Sequence, residues 1–151
     1  AADLTAILSQ PARAPHLLIG GAPTEQHEIG ALMMAVLLRS EGYRVEYLGP
    51  DIPLDDLVDY ARFEKPNMII LSASMESAAL ELRRMQEKVN RLKPAPLFGY
   101  GGSAFNYKPE LRKQIAGIFL GETLDQAVEK VGELLSHSRR TVSRQTMAET
   151  V

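Results

Sequence analysis

The sequence predicts an α/β fold: a flavodoxin-like, doubly wound parallel sheet of five strands in the order 2-1-3-4-5, that is, a Rossmann-like domain. Two observations support this prediction. Short apolar runs alternate along the chain with longer segments of helical periodicity, which is typical of parallel strands joined by crossover helices. The apolar runs are also nearly continuous, so both faces of each strand need a covering layer of helices.

Each element follows from a local pattern. Five apolar runs predict strands at 16–20, 44–48, 68–72, 97–100 and 118–120, and the segments between and after them predict helices at 27–40, 54–63, 76–92, 109–115 and 123–135. Gly42 ends the first helix, and Pro53 marks the start of the second. The predicted apolar side of the first helix consists of Ile29, Leu32, Met33, Val36 and Leu37.

The two ends of the chain differ from this central part. Residues 1–12 carry Leu4, Ile7 and Leu8 before Pro11, which indicates the end of a preceding helical segment. Residues 13–137 form the predicted domain. Residues 138–151 are polar and basic without apolar periodicity, and we expect a flexible tail there.

Composition limits the classes of partner. The 151 residues include 45% hydrophobic ones, enough for one packed core, and the net charge is −2, which provides no general attraction to nucleic acid or anionic lipid. The absence of cysteine excludes disulfides, thiolate metal sites and thiol nucleophiles. No apolar run is long enough for a membrane span. We therefore expect a cytoplasmic protein with no membrane partner.

The loop after the first strand contains the main candidate site. Ligands of doubly wound sheets bind at the carboxyl ends of the strands, and this loop places Glu25, His27 and Gly30 there. It contains neither the dinucleotide fingerprint nor a P-loop. A metal-binding histidine usually donates its second ring N–H to a carboxylate, and Glu25 is close enough in sequence to accept it. The alternative is that His27 only begins a helix.

A self-contained metal centre is not expected. A zinc site needs three or four protein ligands, and His16, His27 and His137 lie on segments that this topology keeps apart. If His27 binds a metal, the remaining ligands must therefore belong to a cofactor.

Three further loops at the same edge carry small or polar residues. Ser72 and Ser74 follow the third strand, where a receiver domain would carry its aspartate, so the Mg²⁺ site of a receiver is missing. Tyr100, Gly101 and Gly102 follow the fourth strand. Gly121 and Glu122 follow the fifth, where an ordinary turn is the alternative. Glycines at neighbouring strand ends allow the backbone to pack closely around a ligand.

Together these loops resemble the signature of cobalamin-binding domains, Asp-x-His-x-x-Gly, Ser-x-Leu and Gly-Gly, with Glu25-x-His27-x-x-Gly30, Ser72-x-Ser74 and Gly101-Gly102 in the same order. The segments 25–31 and 47–54 look most like the light-sensing regulators of the CarH type in the MerR group. The resemblance covers about residues 15–136. Two departures are Glu25 in place of aspartate and Ser74 in place of a bulkier residue.

The resemblance implies a cobalamin bound base-off, with His27 as lower axial ligand of the cobalt, held by Glu25, and with the lower nucleotide passing Ser72, Ser74, Gly101 and Gly102. Adenosylcobalamin is the implied form, with methyl- and hydroxocobalamin as alternatives. The implied cofactor-binding residues are Glu25, Gln26, His27, Glu28, Ile29, Gly30, Ser72, Ser74, Tyr100, Gly101, Gly102, Gly121 and Glu122.

Three functions fit this reading. The preferred one is a cobalamin-binding sensory domain of a transcription regulator, light- or cobalamin-responsive, which contacts DNA only through a domain outside this chain and forms homo-oligomers in the full-length protein. The second is the corrinoid module of a methyltransferase or mutase. The third is a flavodoxin-like interaction domain without a ligand. No independent catalysis is expected, because the motifs include no nucleophile–base pair.

Overall fold

The computed structural model describes residues 14–149, with side chains through residue 136. The predicted helical segment 1–12 lies outside the described residues. The five parallel strands have the order β2-β1-β3-β4-β5, as predicted. The strands are β1 (His16–Gly21), β2 (Arg44–Tyr47), β3 (Met68–Ser72), β4 (Leu97–Gly101) and β5 (Ile118–Phe119). The α-helices are α1 (Ile29–Ser40), α2 (Leu54–Glu64), α3 (Glu76–Leu80), α4 (Met85–Val89), α5 (Ser103–Tyr107) and α6 (Leu124–Glu149).

The register of the sheet aligns three strand ends. Gly21 of β1 pairs with Ser72 of β3, and Ser72 pairs with Gly101 of β4. Because all these strands run in the same direction, the loops that follow them leave from one edge of the sheet. The residues predicted to form the site are thereby brought together from distant parts of the sequence.

Two hydrophobic layers cover the sheet, one on each face. One contains Leu18 and Ile69 of the strands and packs against α2, α3, α4 and α5. The other contains Leu17 and Ile70 and packs against α1 and α6. Alternate residues of each strand point to opposite faces, so the continuous apolar runs are needed to fill both layers.

The predicted apolar side of α1 is wrong. The helix buries Ala31, Met34, Ala35 and Leu38, whereas Leu37 is only half-buried. The other four residues of the predicted side are exposed: Ile29, Leu32, Met33 and Val36. Both sets have helical spacing, so periodicity alone could not separate them. The two alanines allow the helix to approach the sheet closely, which explains why their side is buried.

Other helices also differ from prediction. The expected helix 76–92 is divided by a 3-10 turn (Glu81–Arg84), although Leu82, Met85 and Val89 still face the core. The predicted helix 109–115 is a 3-10 helix (Pro109–Lys113), and α5 was not predicted. The last helix continues to Glu149 through the segment expected to be a flexible tail, because no glycine or proline follows Gly132 to end it. Within residues 14–149, no helix is both long and apolar enough for a membrane span.

Candidate functional site

The loop after β1 directs a carboxylate into the protein. Glu25 is 1% exposed, and its carboxylate forms hydrogen bonds with His27 and Ser74 at this edge of the sheet. Its Oε1 accepts hydrogen bonds from the Ser74 hydroxyl at 2.6 Å and the His27 backbone N–H at 3.1 Å, and its Oε2 accepts one from the Ser74 N–H at 2.7 Å. Burial raises the pKa of Glu25, but the hydrogen bonds from Ser74 and His27 outweigh it, so the pKa lies below 4.5. The group is therefore a buried anion at neutral pH.

This anion orients the ring of His27. The His27 Nδ1 lies 2.9 Å from the Glu25 Oε1 and 2.9 Å from the Ser74 Oγ, while 70% of the side chain is exposed. In the neutral ring, a proton on Nδ1 donates to the carboxylate, which leaves the lone pair on Nε2. Nε2 has no hydrogen-bond partner among the described residues. The arrangement therefore presents an unoccupied basic nitrogen to solvent.

The geometry is not that of a hydrolytic triad. In such a triad the serine bonds to one ring nitrogen and the acid to the other, so that the ring can take the serine proton. Here the Ser74 hydroxyl and the Glu25 carboxylate both contact Nδ1, and the hydroxyl itself donates to the carboxylate. Ser74 therefore supports the ring orientation and is not activated as a nucleophile.

The residues beside His27 attach the loop to its surroundings. Gln26 donates to the Asp51 carboxylate at 3.4 Å, and Glu28 accepts a hydrogen bond of 2.8 Å from the Tyr47 hydroxyl. Burial and the hydrogen bond to Glu28 raise the pKa of Tyr47 to about 12, so its phenol remains a donor at neutral pH. Ile29 is 75% exposed at the start of α1.

A cavity of about 200 Å³ lies at the same edge of the sheet, between α1 and α6. Its inner wall is apolar, with Ile19, Met34 and Leu120 among the lining side chains. Polar and glycine residues complete the lining: Gly30, Ser72, Gly101, Gly102, Ser103, Asn106, Gly121, Glu122 and Thr123. An apolar pocket with a few polar groups is the usual form of an organic ligand site.

The family model for the B12 binding domain matches residues 15–129. The chain belongs to the B12-binding domain family. This match includes all five strands and every predicted site residue. Cobalamin binding, which the loop motifs predicted, is thus supported at the level of the family.

Relatives of this B12-binding domain fall into two groups. The chain is 28% identical over 118 residues to trimethylamine corrinoid protein 1 of Methanosarcina mazei, covering 76% of this chain and 53% of the relative. It is 27% identical over 109 residues to the HTH-type transcriptional repressor CarH of Myxococcus xanthus, covering 71% and 36%. The chain therefore spans about half or less of each. Because the two identities are equivalent, the expected closeness to the CarH type is not specifically supported.

A solved structure shares the fold of the B12-binding domain. The structure of the Methanosarcina barkeri monomethylamine corrinoid protein matches with a TM-score of 0.72 at 19% identity, covering 85% of this chain and 61% of that one.

The glycines of this B12-binding domain fit a bulky ligand. A Cβ atom on Gly30 or on Gly101 would meet nothing within 4 Å, and both residues line the cavity. Gly102 has a different role: its φ is +116°, and a Cβ there would lie 2.2 Å from the Ala73 carbonyl oxygen. Gly102 therefore allows α5 to pack against the loop after β3, whereas Gly30 and Gly101 keep the cavity wide.

The structure separates the predicted cofactor-binding residues into three places. Glu25, His27 and Ser74 form the hydrogen-bonded group, and Gln26, Glu28 and Ile29 lie beside it. The cavity contains Gly30, Ser72, Gly101, Gly102, Gly121 and Glu122. Ser74 is not among the residues that line the cavity, and its hydroxyl and N–H contact Glu25 instead. Its contact with a nucleotide tail stays a prediction.

Tyr100 is not brought to the site. It is buried in the layer that α2 to α5 cover, and its hydroxyl donates to the carbonyl of Arg112 at 3.2 Å. Its strand neighbour Gly101 lines the cavity, whereas the Tyr100 side chain faces the opposite side of the sheet. A role of Tyr100 in cofactor binding stays a prediction.

Asn106 was missed by the sequence analysis. It lines the cavity from α5, and its side-chain amide donates to the Glu122 carbonyl at 3.0 Å. The sequence does contain an indication of the position of Asn106, since Ser103 and Asn106 are three residues apart and lie on one side of a helix after Gly102. This spacing could not be used, because the sequence analysis did not predict α5.

Proposed function

We propose that this domain binds cobalamin base-off, with His27 as lower axial ligand of the cobalt and the displaced nucleotide in the cavity between α1 and α6. One observation carries the proposal: the exposed His27 ring has an unpartnered Nε2, while its Nδ1 is held by a buried anion. This is how proteins present histidine to a metal.

The residues around His27 have separable roles in this proposal. Glu25 keeps the Nδ1 proton on the side away from the ligand and makes Nε2 more basic. Ser74 holds both oxygens of Glu25 through its hydroxyl and its N–H, and so prevents the carboxylate from turning away. Cobalamin would supply the chemistry of its cobalt–carbon bond.

The cavity fits the tail of the cofactor by its chemistry. Ile19, Met34 and Leu120 provide apolar walls for a flat aromatic base. Ser72, Ser103 and Asn106 provide donors and acceptors for ribose and phosphate oxygens. The glycines at the strand ends leave room for the chain that connects the base to the corrin ring.

At the level of the whole protein, the proposed role is a corrinoid-holding module whose partner domain acts on the upper face of the cofactor. A carrier in a methyl-transfer system and a sensor in a light- or cobalamin-responsive regulator both fit, and relatives of both kinds are found. Adenosylcobalamin belongs to the sensor form of the proposal and methylcobalamin to the carrier form. DNA contact and oligomerisation would involve parts of the full-length protein outside this chain.

The axial ligand can be identified by electron paramagnetic resonance of cob(II)alamin bound to uniformly nitrogen-15-labelled protein. An axial nitrogen-14 of the cofactor base splits each cobalt line into three, whereas a nitrogen-15 of the protein splits it into two. We expect doublets for the wild type. In unlabelled protein the same lines should be triplets.

His27→Ala is the decisive variant, and His16→Gln is its matched control. The labelled His27→Ala protein should lose the doublets, whereas labelled His16→Gln should keep them. Triplets in the labelled wild type would show that the cofactor base remains on cobalt and would disprove the axial role of His27. Absence of cobalamin from the gel-filtered wild type would disprove the proposed function as a whole.

The carrier and sensor forms differ in their response to light. The full-length protein loaded with adenosylcobalamin should change its oligomeric state on illumination if it is a sensor. If it is a carrier, illumination should leave the oligomeric state unchanged, and the reduced protein should accept a methyl group from a methylated amine or alcohol in the presence of a partner methyltransferase.

A further inference from the structure

We propose that Asp51, in the loop between β2 and α2, is a positioning residue for the histidine loop and acts through Glu25 on His27. This inference rests on the proposed function. Asp51 belongs to the segment 47–54 of the family resemblance, and it lies on a different strand connection from the three loops of the cobalamin signature.

Asp51 contacts three consecutive residues of the histidine loop. Its Oδ1 accepts a hydrogen bond of 2.7 Å from the Thr24 N–H, and its Oδ2 accepts one of 3.4 Å from the Gln26 side chain. Its own N–H donates to the Glu25 carbonyl at 2.8 Å. Glu25 is thus held at its backbone by Asp51 and at its carboxylate by Ser74.

The approach of the two loops depends on Gly21. The Gly21 N–H donates to the Gly49 carbonyl at 3.0 Å, and the Gly21 carbonyl accepts from the Ile52 N–H at 3.2 Å. A Cβ on Gly21 would lie 3.2 Å from the Pro50 Cα and 3.3 Å from the Glu25 oxygen, which is tighter than ordinary contact. The two loops are therefore packed backbone against backbone.

The backbone at both ends of this contact is strained. Thr24 has a φ of +71° and Asp51 a φ of +48°, and these two are bonded to each other. Among the described residues only Lys65, at the opposite end of α2, is a third non-glycine residue with positive φ. Strained residues persist where the surrounding contacts overdetermine them, and they cluster at functional sites.

These contacts orient the His27 ring in three steps. Asp51 fixes the turn that carries Glu25, the Glu25 carboxylate fixes the Nδ1 side of His27, and the ring then presents Nε2. Since the His27 side chain is 70% exposed, the orientation of its ring depends on the contacts of Nδ1 with Glu25 and Ser74. Loss of Asp51 should therefore weaken axial ligation and leave the cavity unchanged.

Asp51→Gly tests this inference, because glycine accepts positive φ without strain and removes only the side-chain bonds. We expect roughly tenfold weaker binding of cobinamide, a corrinoid without the nucleotide tail, as is typical for lost hydrogen bonds to a charged group. Asp51→Asn keeps an acceptor and tolerates this backbone conformation, so its binding should stay within about threefold of wild type.

A double-mutant cycle distinguishes positioning from general stability. In the His27→Ala background, Asp51→Gly should cause no further loss of cobinamide affinity. The labelled Asp51→Gly protein should also show a mixture of doublets and triplets with bound cob(II)alamin. Lys65→Gly is the matched control, since it relieves the same backbone strain away from the site and should change neither readout.

Two outcomes would overturn the inference while leaving the proposed function intact. One is wild-type cobinamide affinity in Asp51→Gly. The other is an equal loss of affinity from Asp51→Gly in the wild-type and His27→Ala backgrounds. Failure of the wild type to show nitrogen-15 doublets is a different result, because it would remove the proposed function on which the inference rests.

Discussion

Two histidine–glutamate pairs among the described side chains lie at opposite edges of the sheet, and they are arranged in opposite ways. At the carboxyl edge, Glu25 is buried and His27 is exposed, with 2.9 Å between them. At the amino edge, His16 is 3% exposed and its Nε2 lies 2.7 Å from the carboxylate of the half-exposed Glu46. The distances are similar, but the buried partner is the acid in one pair and the base in the other.

The two pairs also differ in the nitrogen that each histidine leaves without a partner. The His27 ring directs a free nitrogen outward, whereas the His16 Nδ1 is buried without a partner and its Nε2 is already bonded to Glu46. Tyr60 donates to the other oxygen of Glu46, so both oxygens of this carboxylate are hydrogen-bonded. A carboxylate oxygen of Glu64 lies within 4.8 Å of the ligand atoms of His16 and Glu46, but the His16 Nε2 is already bonded to Glu46 and its Nδ1 is buried. The two pairs therefore differ in whether the histidine keeps an exposed nitrogen without a partner among the described residues.

The largest expected effect concerns stability. His16→Ala removes a buried ring and leaves the Glu46 carboxylate without one donor, so we expect a loss of about 2–4 kcal/mol in the free energy of unfolding. His27→Ala removes an exposed ring and only one of several donors to Glu25, so its loss should be about 1 kcal/mol or less. Urea denaturation of the two variants measures both, and equal losses would contradict the comparison.

The next effect concerns affinity. Glu25→Gln keeps the shape of the side chain but removes the charge that supports the imidazole, and we expect about 10- to 100-fold weaker corrinoid binding. Glu46→Gln is the matched control and should leave the affinity unchanged. If the two variants bind cobinamide equally well, the buried anion has no role in ligation.

A smaller effect should separate the cavity from the histidine. Gly101→Val extends a side chain into open space in the cavity, so we expect about fivefold weaker binding of cobalamin, and no change for cobinamide, which has no nucleotide. Gly132→Ala, on α6 outside the cavity, is the control and should leave both affinities unchanged. Equal weakening of both corrinoids by Gly101→Val would place the tail elsewhere.

The smallest effect is a dependence on pH. Because the pKa of Glu25 in the folded protein lies below its usual value of 4.5, ionised Glu25 stabilises the fold above about pH 4.5, and this contribution is lost as the pH falls below that value. The difference in unfolding free energy between wild type and Glu25→Gln should therefore shrink in acid, by about 1 kcal/mol. A difference independent of pH between 7 and 3 would be inconsistent with a buried ionised Glu25.

The sequence predicted those parts of the site that lie at the ends of the strands. The apolar runs predicted strand ends at Gly20, Ser72 and Tyr100, each within one residue of the observed end, and the sheet order then required the following loops to meet. The sequence did not show that the Tyr100 side chain faces the core, and the sequence analysis did not identify Asn106, which lies on an unpredicted helix. The position of Tyr100 depends on which face of the strand it occupies, and a strand alternates faces at every residue. The position of Asn106 depends on a five-residue helix that is too short for a periodic pattern to predict.

The sequence by itself determined the order of the strands, the edge at which the loops gather and the pairing of His27 with a nearby carboxylate, because these depend on local apolar runs and short spacings. Only the tertiary structure decided that Glu25 is buried and His27 exposed, that α1 buries its alanines and that Asp51 reaches the histidine loop. These features depend on packing between residues far apart in sequence, where several patterns of equal local quality compete.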